Sequence, residues 1–196
     1  MQKVIGITGG TGCGKTTALQ ALENLGVHVI DCDALYHQLL ETDTEMVQAI
    51  EAAFPGVVEN GILQRKKLGQ QVFGNEQALN RLNQTVWPFI VKATEAILNT
   101  HFPQPCAIDA IGLLESGLGK LCTHMVAITA PEDVRIRRLM AREGISEEYA
   151  RLRISAQKKN EVFAAICGMT IENTDDDAAS FQNRCTAIFK TLLKED

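Results

Sequence analysis

The 196-residue chain has no membrane-length apolar run: nothing approaches the ~18 consecutive apolar residues of a spanning helix, and no secretory h-region opens the sequence. It also lacks an excess of positive charge. With 19 Lys and Arg against 24 Asp and Glu, the formal charge is −5 and no Lys/Arg tract stands out, so there is no electrostatic footprint for a nucleic-acid polymer. Six cysteines (13, 32, 106, 122, 167 and 185) are scattered without a C-x-x-C pair or a His/Cys cluster, which argues against a zinc site and a disulfide framework alike. No internal repeat, low-complexity tract or linker divides the chain. These absences leave one compact globular domain over 1–196, expected to be cytoplasmic with reduced thiols, and to act as a monomer or weak homo-oligomer.

What is present begins at Gly9. Residues Gly9-Gly10-Thr11-Gly12-Cys13-Gly14-Lys15-Thr16 fit the phosphate-loop pattern G-x-x-x-x-G-K-[ST]. The apolar stretch Val4–Ile7 enters it as a strand, and Thr17–Leu25 leaves it with apolar residues at helical spacing until Gly26. Glycines allow successive backbone amides to turn around an anion, and the following helix N-terminus adds positive potential. Gly10, Thr11, Gly12, Cys13, Gly14, Lys15, Thr16 and Thr17 are therefore the expected nucleotide-binding residues. Lys15 reaches the outer phosphates, and the Thr16 hydroxyl is suited to Mg²⁺. The implied ligand is a nucleoside triphosphate with Mg²⁺, foremost ATP.

Further apolar runs read as parallel strands: Val27–Ile30 ending at Asp31, Cys106–Ile108 ending at Asp109, Met125–Ile128, and Met169–Glu172. Helical patterns alternate with them, so the predicted fold is α/β, a parallel sheet of about five strands flanked by helices. The interval of about 34–100 is too long for one crossover. It predicts an inserted helical lobe with pieces at Glu45–Phe54, Gln64–Phe73, Glu76–Val86 and Pro88–Leu98, divided by Pro55-Gly56, Asn60-Gly61 and Gly74-Asn75. A helical pair at about 134–165 carries arginines opposite its apolar face, with Ser146 as the expected cap of the second helix. Most of these arginines are expected in solvent, and one is expected over a transferring phosphoryl group as part of a lid.

Asp31-Cys32-Asp33 follows the second strand. One carboxylate there can face the water shell of Mg²⁺ (Asp31) and the other can accept the proton of an alcohol (Asp33). The same position also suits a helix N-cap. Asp109-Ala110-Ile111-Gly112 matches the D-x-x-G of GTPases, but no N/T-K-x-D follows, so the match reads as chance. Cys13 and Cys32 read as small space-fillers near the site.

Over nearly its whole length the chain resembles the dephospho-coenzyme A kinase family. The resemblance rests on Ile5–Thr17, on Leu25–Asp33, on G-x-L-x-R-x-x-L at Gly61–Leu68, on Leu82-Asn83 and on Pro88–Ile90. It continues through Leu113–Leu118, Arg138–Gly144 and Ala150–Gln157. It implies an ATP- and Mg²⁺-dependent kinase of the dephospho-CoA ribose 3′-hydroxyl, in the last step of CoA synthesis. By resemblance, Lys15, Asp33 as base and Arg138 as lid arginine carry catalysis, the lobe covers the CoA moiety, and Ile171-Glu172-Asn173 lies near the adenine. The chain departs from the family pattern at His37, Trp87, Ile111, Gly112 and Cys167, all around the acceptor or the lid. Two other expectations therefore stand beside the first: a related kinase of another nucleoside or metabolite alcohol, and a weakly catalytic nucleotide-binding regulator.

Overall fold

A computed structural model describes residues 1–174 and 177–194. Five parallel strands form its sheet: β1 (Val4–Thr8), β2 (His28–Asp31), β5 (Cys106–Asp109), β6 (His124–Thr129) and β7 (Met169–Glu172), in the order β2-β5-β1-β6-β7. The predicted strands are all there, within one or two residues. Every residue of β1 is buried, as expected of a central parallel strand covered on both faces.

The strand pleat assigns alternate residues of β1 to two cores. Ile5 and Ile7 meet α1 (Lys15–Glu23) and α9 (Ala178–Leu192) through Ala18, Leu22, Phe181 and Phe189. Val4 lies on the opposite face with Ile108. That core is closed by α2 (Cys32–Thr42), α3 (Thr44–Ala53), α4 (Arg65–Val72) and α5 (Glu76–Thr100). Late in the chain α6 (Glu132–Glu143) and α7 (Glu147–Ser155) form a small core of Ile136, Leu139, Ala150 and Ile154, followed by α8 (Asn160–Ile166). Ser146 caps α7 by accepting from Tyr149 N, as its position predicts.

Two features of the 34–100 segment differ from the sequence expectation. The two pieces expected on either side of Trp87 are one 25-residue helix that runs through Pro88. A proline inside a helix costs about 3 kcal/mol, because it lacks an N–H and its ring presses on the preceding turn. Here Leu82, Val86, Ile90 and Leu98 lie every four or eight residues along one buried stripe, while Pro88 faces outward. Each such side chain contributes roughly 1.5–3 kcal/mol when fully buried, so the stripe outweighs the proline. The second feature is a short antiparallel pair, β3 (Val58–Glu59) with β4 (Ile62–Leu63), turned at Asn60-Gly61. Both turn residues have positive φ, 52° and 78°, which is what a tight two-residue hairpin demands.

Candidate active site

The site lies at the carboxyl ends of β1, β2 and β5, where open parallel sheets collect ligands. Gly9 to Gly14 connect β1 to α1. Gly14 is the N-cap of α1 with φ 98° and offers no side-chain cap, so the first-turn amides of the helix point into the loop without an intrahelical acceptor. A methyl group at Gly14 would come within 2.3 Å of Asn173 Nδ2. Lys15 Nζ donates to Gly9 O at 2.8 Å, which holds the ammonium over the loop. Thr16 and Thr17 follow in the first turn of α1.

The carboxylates come from three places. Asp31 caps α2, its Oδ1 accepting from Asp33 N and Ala34 N at 2.9 Å each. The N-cap reading of this position is therefore realised in Asp31, whose second oxygen takes no part in the cap. Asp33 sits in the first turn of α2, exposed, and lines a cavity together with Gly9 and Gly10. Asp109 ends β5 between β1 and β2, opposite Ile7 on one side and Asp31 on the other. Burial pushes its carboxyl above the ordinary range. The Lys15 ammonium opposes that shift, and the Asp31 and Asp33 carboxylates add to it. The sequence places Asp109 at the end of a buried strand but gives it no role, since its D-x-x-G match reads as chance. That position was the signal available.

The loop is gripped from outside by residues remote in sequence. Arg135, on α6, is only 3% exposed, an exception to the expectation that most of these arginines lie in solvent. It stands one helical turn before Leu139 on the face that α6 turns inward. Its Nε donates to Thr11 O at 2.8 Å. Arg138 reaches Gly12 O at 3.4 Å and Asn173 Oδ1 at 3.0 Å. Asn173, also 3% exposed, donates through Nδ2 to Cys13 O at 2.9 Å. Arg137 and Arg151 do face solvent and pair with nearby acids. Cys13 and Cys32 are buried beside the loop. Burial pushes the Cys13 thiol up and Cys32 up to about 12, so both are protonated fillers and not nucleophiles at neutral pH. All six cysteines carry free thiols.

The cavity beside Asp33 measures about 560 Å³ and is walled by Tyr36, Trp87, Ile111, Glu115 and Gln157 as well as the loop. Lys158 pairs with Glu115 at its rim. A second cavity of about 640 Å³ adjoins it and shares Trp87, Glu115 and Ser116. Trp87 and Gly112, two of the departures, both line this cavity, and a Cβ at 112 would lie at ordinary contact distance, 3.5 Å, from Trp87 Nε1. His37 and Ile111 are exposed, whereas Cys167 is buried against Phe163.

The family model for dephospho-CoA kinase matches residues 3–178. This chain belongs to the dephospho-CoA kinase family. A dephospho-CoA kinase of Novosphingobium aromaticivorans is 35% identical over 90% of the chain and 91% of its own length. One of Lactobacillus acidophilus is 35% identical over 89% and 90%. Among solved structures, TT1252 from Thermus thermophilus superposes with a TM-score of 0.79 at 29% identity, covering 99% of both chains. Shikimate kinase from Bacteroides thetaiotaomicron, at 15% identity and a TM-score of 0.59 over 98% and 99% of the two chains, shares the fold. Membership makes the chain an ATP-dependent kinase built on the parallel sheet described above.

The residues present fit Mg²⁺-ATP as ligand. The uncapped α1 N-terminus supplies amide donors for phosphate, and Lys15 supplies a cation beside the loop. Among the described residues no three His, Cys, Asp or Glu converge as a metal cage. Mg²⁺ in kinases needs none, because it keeps several waters and is held by one or two protein oxygens plus substrate phosphates. No helix among the described residues is long and apolar enough to cross a membrane.

Proposed function

We propose that this chain transfers the γ-phosphoryl group of ATP to the ribose 3′-hydroxyl of dephospho-CoA, giving CoA and ADP. The observation that carries the reading is that Asp33 and the phosphate loop open into one cavity. The donor phosphates and an acceptor alcohol can meet there with a carboxylate at hand. Lys15 and the loop amides hold the triphosphate. Thr16 would hold Mg²⁺, with the carboxylates of Asp31 and Asp109 toward its water shell. When bound, the ion would neutralise phosphate charge. Asp33 orients the 3′-hydroxyl and accepts its proton as the new O–P bond forms and the bond to the β-phosphate bridging oxygen breaks. Arg138, already on Gly12 O, brings positive charge to the transferring group.

In this reading residues of about 34–100 form the acceptor lobe and those of about 134–165 the lid, within a single domain over 1–196. The chain works in the cytoplasm, consistent with its free thiols, as a monomer or weak homo-oligomer. Trp87 and Gly112, both departures from the family pattern, line the acceptor cavity, and this favours a second reading, a related alcohol as acceptor.

The test is incubation with Mg²⁺-ATP and dephospho-CoA, adenosine or no acceptor, following CoA and ADP by mass. CoA formed with dephospho-CoA is the expected result. ADP without CoA would redirect the assignment to another alcohol, and no turnover would favour a regulatory binding protein.

A further inference from the structure

The Gln157 side chain has a position that the reaction does not explain. It follows α7, is half-buried, and lines the cavity that holds Asp33. Its Oε1 accepts two hydrogen bonds at once, from Thr11 N at 2.8 Å and from Arg135 NH2 at 3.1 Å. Arg135 Nε meanwhile donates to Thr11 O at 2.8 Å. Thr11 is thus held at both its amide and its carbonyl by the same pair of residues, both from the segment beyond β6. The fit is close: a Cβ at Gly10 would fall 2.4 Å from Arg135 NH2 and 3.2 Å from Gln157 Oε1.

A guanidinium that is 3% exposed cannot be left without acceptors, because an unpaired buried charge is strongly destabilising. Thr11 O and Gln157 Oε1 are the acceptors it uses. Moving Gln157 away from the loop strips one of them from Arg135 and frees Thr11 N in the same step. The position of the segment after α7 and the conformation of residues 10–12 are therefore alternatives of one arrangement, not independent variables.

We propose that Gln157 is a positioning residue that joins the segment after α7 to the phosphate loop through Arg135, so that docking of this segment and nucleotide binding reinforce one another. This rests on the kinase reading of the loop. Because coupling of this kind is reciprocal, a change at Gln157 alters nucleotide affinity even when no acceptor is present. A residue that only lined the acceptor cavity would not do so.

Titration calorimetry with Mg²⁺-ADP, without acceptor, compares the parent chain with Gln157→Ala and Gln157→Glu, and thermal unfolding confirms that each variant folds. Gln157→Ala, which removes the shared acceptor, should weaken Mg²⁺-ADP binding about ten-fold. Gln157→Glu keeps an oxygen for both donors and should bind within about two-fold of the parent. Parental affinity in Gln157→Ala, or equal loss in both variants, would overturn the inference while leaving the kinase reading intact. If the parent chain itself failed to bind Mg²⁺-ADP, the kinase reading would fall, and the inference with it.

Discussion

Asp31 and Asp109 are direct partners in the β2–β5 ladder, so two carboxylates from segments 78 residues apart end side by side at the mouth of the phosphate loop. Asp31 is partly committed, since one of its oxygens caps α2. Asp109 is half-buried, and Lys15 is the cation that offsets its charge. This division leaves Asp33, one residue beyond the buried Cys32 and exposed to the cavity, as the carboxylate best placed to meet an acceptor alcohol.

Asp33→Asn tests that placement. The substitution keeps the shape and removes only the proton acceptor, so nucleotide affinity should stay near parental while kcat falls about 10²–10⁴-fold. Calorimetry with Mg²⁺-ADP and steady-state kinetics measure the two quantities. Parental turnover would remove Asp33 from the base role. Lys15→Ala is the counterpart and should lower both affinity and turnover, since in the proposed reaction the ammonium acts on the phosphates directly.

Asp109→Asn should separate stability from activity through pH. Burial raises the folded-state pKa of this carboxyl above its ordinary 3.8. The folded protein therefore binds the proton more tightly than the unfolded chain. The resulting contribution to stability is complete below 3.8 and is lost as pH rises through the folded-state value. At pH 7 the parent carries a disfavoured charge that asparagine lacks. The variant should melt higher than the parent at neutral pH, with the difference closing toward the acid limit, while turnover drops. Thermal midpoints across pH 4–7 provide the check, and a variant that melts lower at pH 7 would contradict the burial argument.

Gly14→Ala should damage both fold and loop. The residue has φ 98°, and the added methyl would meet Asn173 Nδ2 at 2.3 Å. Backbone strain of this kind costs on the order of 1–3 kcal/mol. Displacing Asn173 would also release Cys13 O and one contact of Arg138. Gly112→Ala provides the contrast, because its methyl would have no neighbour closer than 3.5 Å. Urea unfolding should show a large loss for the first variant and little for the second; similar losses in both would refute the steric account.

The phosphate loop, Lys15, Thr16 and the Asp31-Cys32-Asp33 junction were legible because each is a contiguous stretch whose chemistry is local. The strands were legible for a related reason, since parallel strands buried on both faces read as unbroken apolar runs. The partners of Arg135 were not legible. Helical spacing puts Arg135 one turn before Leu139, on the inward face, unlike Arg137, which is 72% exposed in its side chain, but nothing local names Thr11 and Gln157 as its partners. The neighbours of Asp109 were not legible either, because its short D-x-x-G context carries no information about Lys15 or Asp31.

The sequence by itself determined which segments become strand, loop and helix, and that the loop is built for phosphate, because turn geometry and apolar periodicity act over a few residues. Only the tertiary structure decided that α5 continues through Pro88, that Trp87 and Gly112 line one cavity, and that Thr11 is held by Arg135 across a separation of 124 residues. Those outcomes depend on burial and on hydrogen bonds between segments far apart in the chain. Their energies exist only once the sheet has brought the segments together.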